Sequence, residues 1–102
     1  MAPSLGQLTV TPDGFSVSGQ LVRWSDVAEI VGFKVDNFTT DEIRLRFQGL
    51  NSAPLAEISE DWPGFEAVSA EMATRFPSTS QWHALLSKPA FARNETILFR
   101  RT

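Results

Sequence analysis

The sequence predicts an α+β domain in which a strongly bent antiparallel sheet or small barrel is covered by one main amphipathic helix. Three observations predict it. Apolar residues alternate with polar ones through most of the first 58 positions, the period of a half-buried strand. Pro, Gly, Asn and Asp punctuate that half at short intervals, as tight reversals require. From Trp62 onward the apolar spacing changes to three and four, the period of a helix.

The elements follow in order. Leu8 and Val10 alternate with Gln7, Thr9 and Thr11, and Thr11-Pro12-Asp13-Gly14 supplies a turn in which Pro presets one dihedral. Phe15 and Val17 alternate with Ser16 and Ser18, completing a hairpin. Gly19-Gln20 marks a second break before a strand from Leu21 to Trp24, so the chain opens as a meander. Trp24, Val27 and Ile30 are spaced by three, which suits a single helical turn too short to stand as a helix. Glu29 to Asp36 is rich in β-formers, with Val31, Phe33 and Val35 on one face and Gly32 and Lys34 on the other. After a polar turn from Asn37 to Asp41, Ile43, Leu45 and Phe47 alternate with Arg44, Arg46 and Gln48. Pro54 to Ile58 makes a shorter strand whose proline suits a strand start or a sheet edge.

The helix is predicted from the stripe Trp62, Phe65, Val68, Met72 and Phe76. Asp61 stands where an N-cap is expected, and Pro63 fits the first turn because its missing N–H would have no intrahelical partner. Glu71 and Arg75 are four apart in the favourable order, and Pro77 ends the helix. Ser78 to Gln81 has the spacing of a capping box, so a short second helix through Trp82, Leu85 and Leu86 follows. Ile97 and Phe99 place a last strand over Thr96 to Arg100.

Composition bounds the function. With 102 residues, 42% of them hydrophobic, residues 1–102 read as a single domain; two cores would leave roughly 50 residues each, a marginal size. No apolar run approaches the roughly 18 residues of a transmembrane helix. Met1-Ala2-Pro3-Ser4 has neither a basic region nor an apolar run, so the reading is a cytoplasmic protein without a secretory signal. There is no Cys, which removes disulfides, thiol nucleophiles and thiolate metal sites. Nine Lys and Arg against twelve Asp and Glu give a net charge of −3 without a basic stripe, so no nucleic-acid partner is expected.

Catalytic and cofactor signals are weak. His83 is the only histidine, beside Trp82, and an enzyme would need it as its base near neutral pH, paired with Ser80 or Ser87. Asp36, Asn37 and Asp41 lack the central glycine and distal Glu of a calcium loop and read as turn formers. Glu60 and Asp61 adjoin at a helix start and do not face each other across a cleft. The six glycines are dispersed and form no phosphate loop, so no cofactor is expected. Glu57, Glu60, Asp61, Glu66 and Glu71 fall in one stretch, either a solvated face or an acidic docking surface.

These residues favour a non-catalytic binding or protein-interaction module. The alternatives are an immunity-like protein that neutralises a toxin, motivated by small size, acidity and lack of Cys, and a small enzyme using His83. Partner contact is expected around the loop from Asp36 to Asp41. Phe38 sits there in a polar turn, as an exposed anchor or as a plug for the end of the barrel. Lys34, Arg44 and Arg46 are expected beside it as a basic strip on the outer sheet face, and the competing reading of that strip is a solvated face.

A resemblance joins several short runs. Trp24-Ser25-Asp26-Val27, Phe33-Lys34-Val35-Asp36, Thr40-Asp41-Glu42-Ile43, Glu57-Ile58-Ser59-Glu60, Trp62-Pro63-Gly64-Phe65, Pro89-Ala90-Phe91-Ala92 and Asn94-Glu95-Thr96-Ile97-Leu98 together resemble a family of small uncharacterised bacterial proteins. Their order matches from about Thr11 to Arg101. That family carries no assigned activity, so the resemblance implies no function. More loosely, a meander followed by a helix resembles the pleckstrin-homology-like (PH-like) fold, and fold does not imply function. Phosphoinositide-binding members of that fold place basic residues in the first strand loop. The corresponding Thr11-Pro12-Asp13-Gly14 has none, so phosphoinositide binding is not expected.

Overall fold

The computed structural model describes residues 7–36, 41–86 and 95–101. Alternating Leu8, Val10, Phe15, Val17 and Val22 build a three-stranded meander of β1 (Leu8–Thr11), β2 (Gly14–Val17) and β3 (Gln20–Arg23). Its second turn sits at Ser18-Gly19, one residue earlier than the expected break at Gly19-Gln20. Both residues take positive φ, 50° and 91°, the two-residue geometry whose twist matches the flanking strands. The strand then ends at Arg23, and Trp24–Asp26 forms a 3₁₀ turn closed by the Val27 N–H donating to the Trp24 carbonyl at 3.1 Å. That corner carries the chain into the second sheet.

The second sheet is antiparallel throughout, in the order β6 (Pro54–Ser59), β5 (Asp41–Gln48), β4 (Glu29–Asp36), β7 (Thr96–Arg100). Ile43, Leu45 and Phe47 are buried and Arg44 and Arg46 are not, as their alternation requires. A register shift lies between Ile30 and Val31, where Ile30 pairs with Phe99 and Val31 with Ile97. Leu98 is the extra residue of that bulge, and it too is buried. The architecture is α+β, with two separate sheets that do not close into a barrel.

Helix α1 (Phe65–Arg75) presents Phe65, Val68 and Met72 to the core, with Phe76 buried just beyond its end. Trp62 lies half-buried ahead of the helix, accepting the Phe65 N–H at its carbonyl. The N-cap is Gly64 and not Asp61, and Pro63 stands outside the first turn. The reason is tertiary. The Leu8 N–H donates to the Pro63 carbonyl at 3.0 Å, which holds the approach to the helix against β1. At the other end Arg75 pairs with Glu71 at 3.1 Å, as the spacing predicts, and also donates to the Pro12 carbonyl at 2.9 Å.

Pro77 ends α1 and opens a 3₁₀ turn, Pro77–Thr79, ahead of the short helix α2 (Trp82–Leu86). Ser78 lies inside that turn, and its hydroxyl donates to the Leu98 carbonyl at 2.9 Å, tying the turn to β7. A capping box starting at Ser78 is therefore replaced by this contact. Thr79 is fully buried, and its hydroxyl donates to the Phe76 carbonyl at 2.7 Å, so the burial leaves no orphaned donor.

One apolar cluster joins the layers. Phe15 of the first sheet meets Phe47 of the second at 5.0 Å between ring centroids and Trp24 at 5.1 Å. Trp24 meets Phe76 at 5.7 Å, and Phe76 meets Phe99 at 4.3 Å. Each such pair adds about 0.5–1.5 kcal/mol beyond the area it buries. The chain of rings thus fixes sheet, corner, helix end and last strand to one another.

Candidate functional site

The outer face of the second sheet is built by register. In an antiparallel pair, residues directly opposite share a face. Asp36 pairs with Asp41, so every even-numbered residue of β4 faces an odd-numbered one of β5. Arg44 therefore lies beside Phe33, and Arg46 beside Val31, while Lys34 lies beside the buried Ile43. The expected strip of Lys34, Arg44 and Arg46 is broken: the arginines share the outer face, and Lys34 belongs to the opposite one. Phe38 lies outside the described residues.

Both arginines are engaged with carboxylates of their own chain. Arg44 Nη1 bonds to Glu57 at 3.1 Å and its Nε to Glu42 at 3.2 Å. Glu42 is buried, and it also accepts a hydrogen bond from the hydroxyl of fully buried Ser59. Partial burial pulls the Arg44 pKa down, but the bonds to Glu57 and Glu42 outweigh it and leave the guanidinium above its usual value. Arg46 Nη2 bonds to Glu95 at 2.8 Å, which raises the Arg46 pKa against a smaller burial effect. The same bond holds Glu95 below the usual carboxylate range.

Around these charges lies an apolar group. The Arg46 guanidinium carbon sits 4.9 Å from the centroid of the half-buried Phe33 ring. Ile97, opposite Val31, is 50% exposed. Phe33, Arg46 and Ile97 thus form a small aromatic, cationic and aliphatic surface on three residues of three strands. Sequence periodicity assigns Phe33 and Ile97 to strands but not to this face. Their company follows only from the register.

A second concave feature lies at the end of the same sheet, a cleft of about 430 Å³. Its walls include Asp26, Ala28, Leu50, Ala53, Leu55 and Arg101. Arg101 is held by its backbone N–H on the Ala28 carbonyl and its Nη2 on the Val27 carbonyl, both at 2.7 Å. The rim is a loop in which Asn51 and Ser52 both adopt left-handed φ, 59° and 61°, and Leu50 is 72% exposed. Mostly apolar with one cation and one anion, the cleft suits an aliphatic group more than a phosphate.

The remaining sequence candidates are dispersed. His83 is exposed on α2, edge-on to Trp82 at 5.3 Å, and it does not line the cleft. Of the acidic stretch, Glu57 pairs with Arg44 and Glu71 with Arg75, while Glu60 Oε2 accepts the Ile43 N–H at 2.9 Å. Asp61 and Glu66 are exposed. Among the described residues, no three His, Asp or Glu side chains stand together as a metal-binding group. Nor is any helix among them long and apolar enough to cross a membrane. No family model matches the chain, and neither does any curated protein or solved structure.

Proposed function

We propose that this chain is a non-catalytic protein-interaction module, PH-like in its plan and cytoplasmic, that meets its partner through the outer face of the second sheet. The observation that carries the reading is Ile97, half-exposed on the face it shares with the Phe33 ring and the Arg46 guanidinium stacked on it. Aromatic and arginine side chains supply much of the energy of desolvated interfaces. The pairs to Glu57 and Glu95 do not block this use. Exposed ion pairs contribute about 0–1 kcal/mol, so a partner's carboxylates can replace them at little cost. The partner that fits is a protein surface carrying an apolar side chain flanked by acidic ones. Phosphoinositides and nucleic acids fit poorly, since the first strand loop lacks basic residues and the net charge is −3.

The experiment is co-purification with the tagged chain followed by affinity measurement on the captured protein. Ile97→Asp and Arg46→Glu should each weaken binding by at least about tenfold, or roughly 1.4 kcal/mol. Phe38→Ala and Arg44→Glu extend the test to the neighbouring loop and strand. If all four variants fold normally and bind unchanged, the outer face is only a solvated sheet surface.

A further inference from the structure

The cleft at the end of the second sheet shares no residue with the Phe33, Arg46 and Ile97 surface, and its walls carry two opposite charges. Asp26 comes from the 3₁₀ corner and Arg101 from just past β7. Arg44, Arg46, Arg75 and Arg100 each bond a carboxylate of their own chain. Arg101 bonds a neutral acceptor instead, its Nη2 donating to the Val27 carbonyl. Among the described residues, neither Asp26 nor Arg101 has an ion pair, and the two do not pair with each other across the cleft.

The rest of the lining is largely aliphatic: Ala28, Leu50, Ala53 and Leu55. Leu55 is half-buried, whereas Leu50 stands 72% exposed at the rim. The two residues after Leu50 hold left-handed φ, a strain that persists only where the surrounding structure imposes it. Here that strained loop keeps a large apolar side chain in water beside two unpaired charges. The volume of about 430 Å³ lies in the range of small-molecule sites.

We propose that the cleft binds a small aliphatic zwitterion, an α-amino acid of the leucine type. Its carboxylate would bond Arg101, its ammonium Asp26, and its side chain would lie against Leu50 and Leu55. Charge complementarity selects this class. A lone anion meets the Asp26 carboxylate as well as the guanidinium, and a lone cation meets Arg101 as well as the carboxylate. An uncharged apolar molecule draws both charges from water and gives neither a partner. A zwitterion answers both, and its aliphatic end covers the exposed Leu50. Arg101 is also held in advance. Its backbone N–H donates to the Ala28 carbonyl and its Nη2 to the Val27 carbonyl, both at 2.7 Å, which leaves Nε and Nη1 for a carboxylate. A side chain fixed before binding loses less entropy when the ligand arrives.

The test is an NMR titration of the isotope-labelled full chain with leucine, N-acetyl-leucine and leucinamide. Leucine should give saturable shifts at the Ala28, Gly49, Leu50 and Ala53 amides. N-acetyl-leucine lacks the ammonium and leucinamide the carboxylate, so each should bind at least about threefold more weakly, the scale of one exposed ion pair. Asp26→Asn should abolish the preference for leucine over N-acetyl-leucine while keeping the preference over leucinamide. Arg101→Gln should do the reverse. That variant also gives up the Val27 bond, so Asp26→Asn, whose carboxylate bonds nothing among the described residues, carries the decision. No saturable shift up to about 20 mM leucine would overturn the proposal, since so small a ligand in an open cleft is expected to bind in the millimolar range. Equal binding of N-acetyl-leucine would overturn the zwitterion in favour of a carboxylate such as a peptide C-terminus. Equal binding of leucinamide would overturn it in favour of an amine. None of these outcomes depends on the outer-face reading, which Ile97→Asp tests separately.

Discussion

Gly64 lies so close to Leu8 that a Cβ placed on it would come within 2.0 Å of the Leu8 carbonyl oxygen, while the Leu8 N–H donates to the Pro63 carbonyl at 3.0 Å. This joint sets the first strand against the start of the main helix. It also takes φ at Gly64 to 91°, a conformation that side chains with a Cβ avoid. Gly64→Ala meets both obstacles, and neither neighbouring atom belongs to a flexible side-chain end. The variant should lose at least about 2 kcal/mol of stability, since backbone strain alone costs about 1–3 kcal/mol. Urea unfolding measures it, and an unchanged midpoint would mean that the joint rearranges freely.

The buried face of α1 makes a second expectation. Phe65 is 4% exposed and Met72 not at all, and both pack in the cluster that unites the sheets. Phe65→Ala and Met72→Ala should each cost about 2–5 kcal/mol in equilibrium unfolding. Losses below about 0.5 kcal/mol at both positions would be the size of surface substitutions and would place the stripe in solvent.

Much of this was legible in the residues, and the exceptions share a cause. The alternation of Ile43, Leu45 and Phe47 and the spacing of Phe65, Val68, Met72 and Phe76 are local periods, and the core uses them directly. Asp61 failed as an N-cap because the deciding contact, Leu8 on Pro63, spans more than 50 positions and leaves no local mark. The face of Lys34 depended on whether β4 and β5 pair odd with even, a parity set by the connecting turn and invisible in either strand alone. The outer face proposed for partner contact inherits that parity. Arg44 and Arg46 could be put on one face by their spacing, but Phe33 and Ile97 joined them only through register.

Ser59 and Glu42 supply a third test. The Ser59 hydroxyl is fully buried and donates to the Glu42 carboxylate, which also takes the Arg44 Nε. Ser59→Ala removes a hydrogen bond to a charged, buried acceptor without adding bulk. A loss of about 1.5–3 kcal/mol is expected from urea unfolding. A change under about 0.5 kcal/mol would mean that other donors replace the hydroxyl.

The Arg46–Glu95 pair predicts a pH dependence with a definite sign. The hydrogen bond from Arg46 lowers the folded-state pKa of Glu95 below the ordinary 4.5. A depressed carboxylate pKa contributes stability that is present above the unfolded value and lost as pH falls through the folded one. Wild type should therefore exceed Glu95→Gln in stability near neutral pH, and the difference should vanish on acidification below that range. Because Glu95 is exposed, added salt should shrink the difference as well. A gap between the two proteins that persists unchanged in acid would show that the carboxylate charge is not its source.

The second hairpin turn offers a change in the stabilising direction. Ser18 and Gly19 both carry positive φ, 50° and 91°, and only the second of them is a glycine. A left-handed conformation costs a residue with a Cβ roughly 1–2 kcal/mol, and Asn escapes part of that cost through its short polar side chain. Asn-Gly is accordingly the preferred pair for this turn, with strand twist already matched. Against the gain stands one contact, since Ser18 Oγ accepts the Gln7 N–H at 3.3 Å. That bond is long and exposed, and the Ser18 N–H still donates to the Gln7 carbonyl at 2.8 Å whatever the side chain. The strain term is therefore the larger, and Ser18→Asn should raise stability by about 0.5 kcal/mol. A small rise in the urea midpoint at unchanged slope is the expected record. A fall would mean that the Ser18 hydroxyl, and not the backbone geometry, holds the turn to the start of β1.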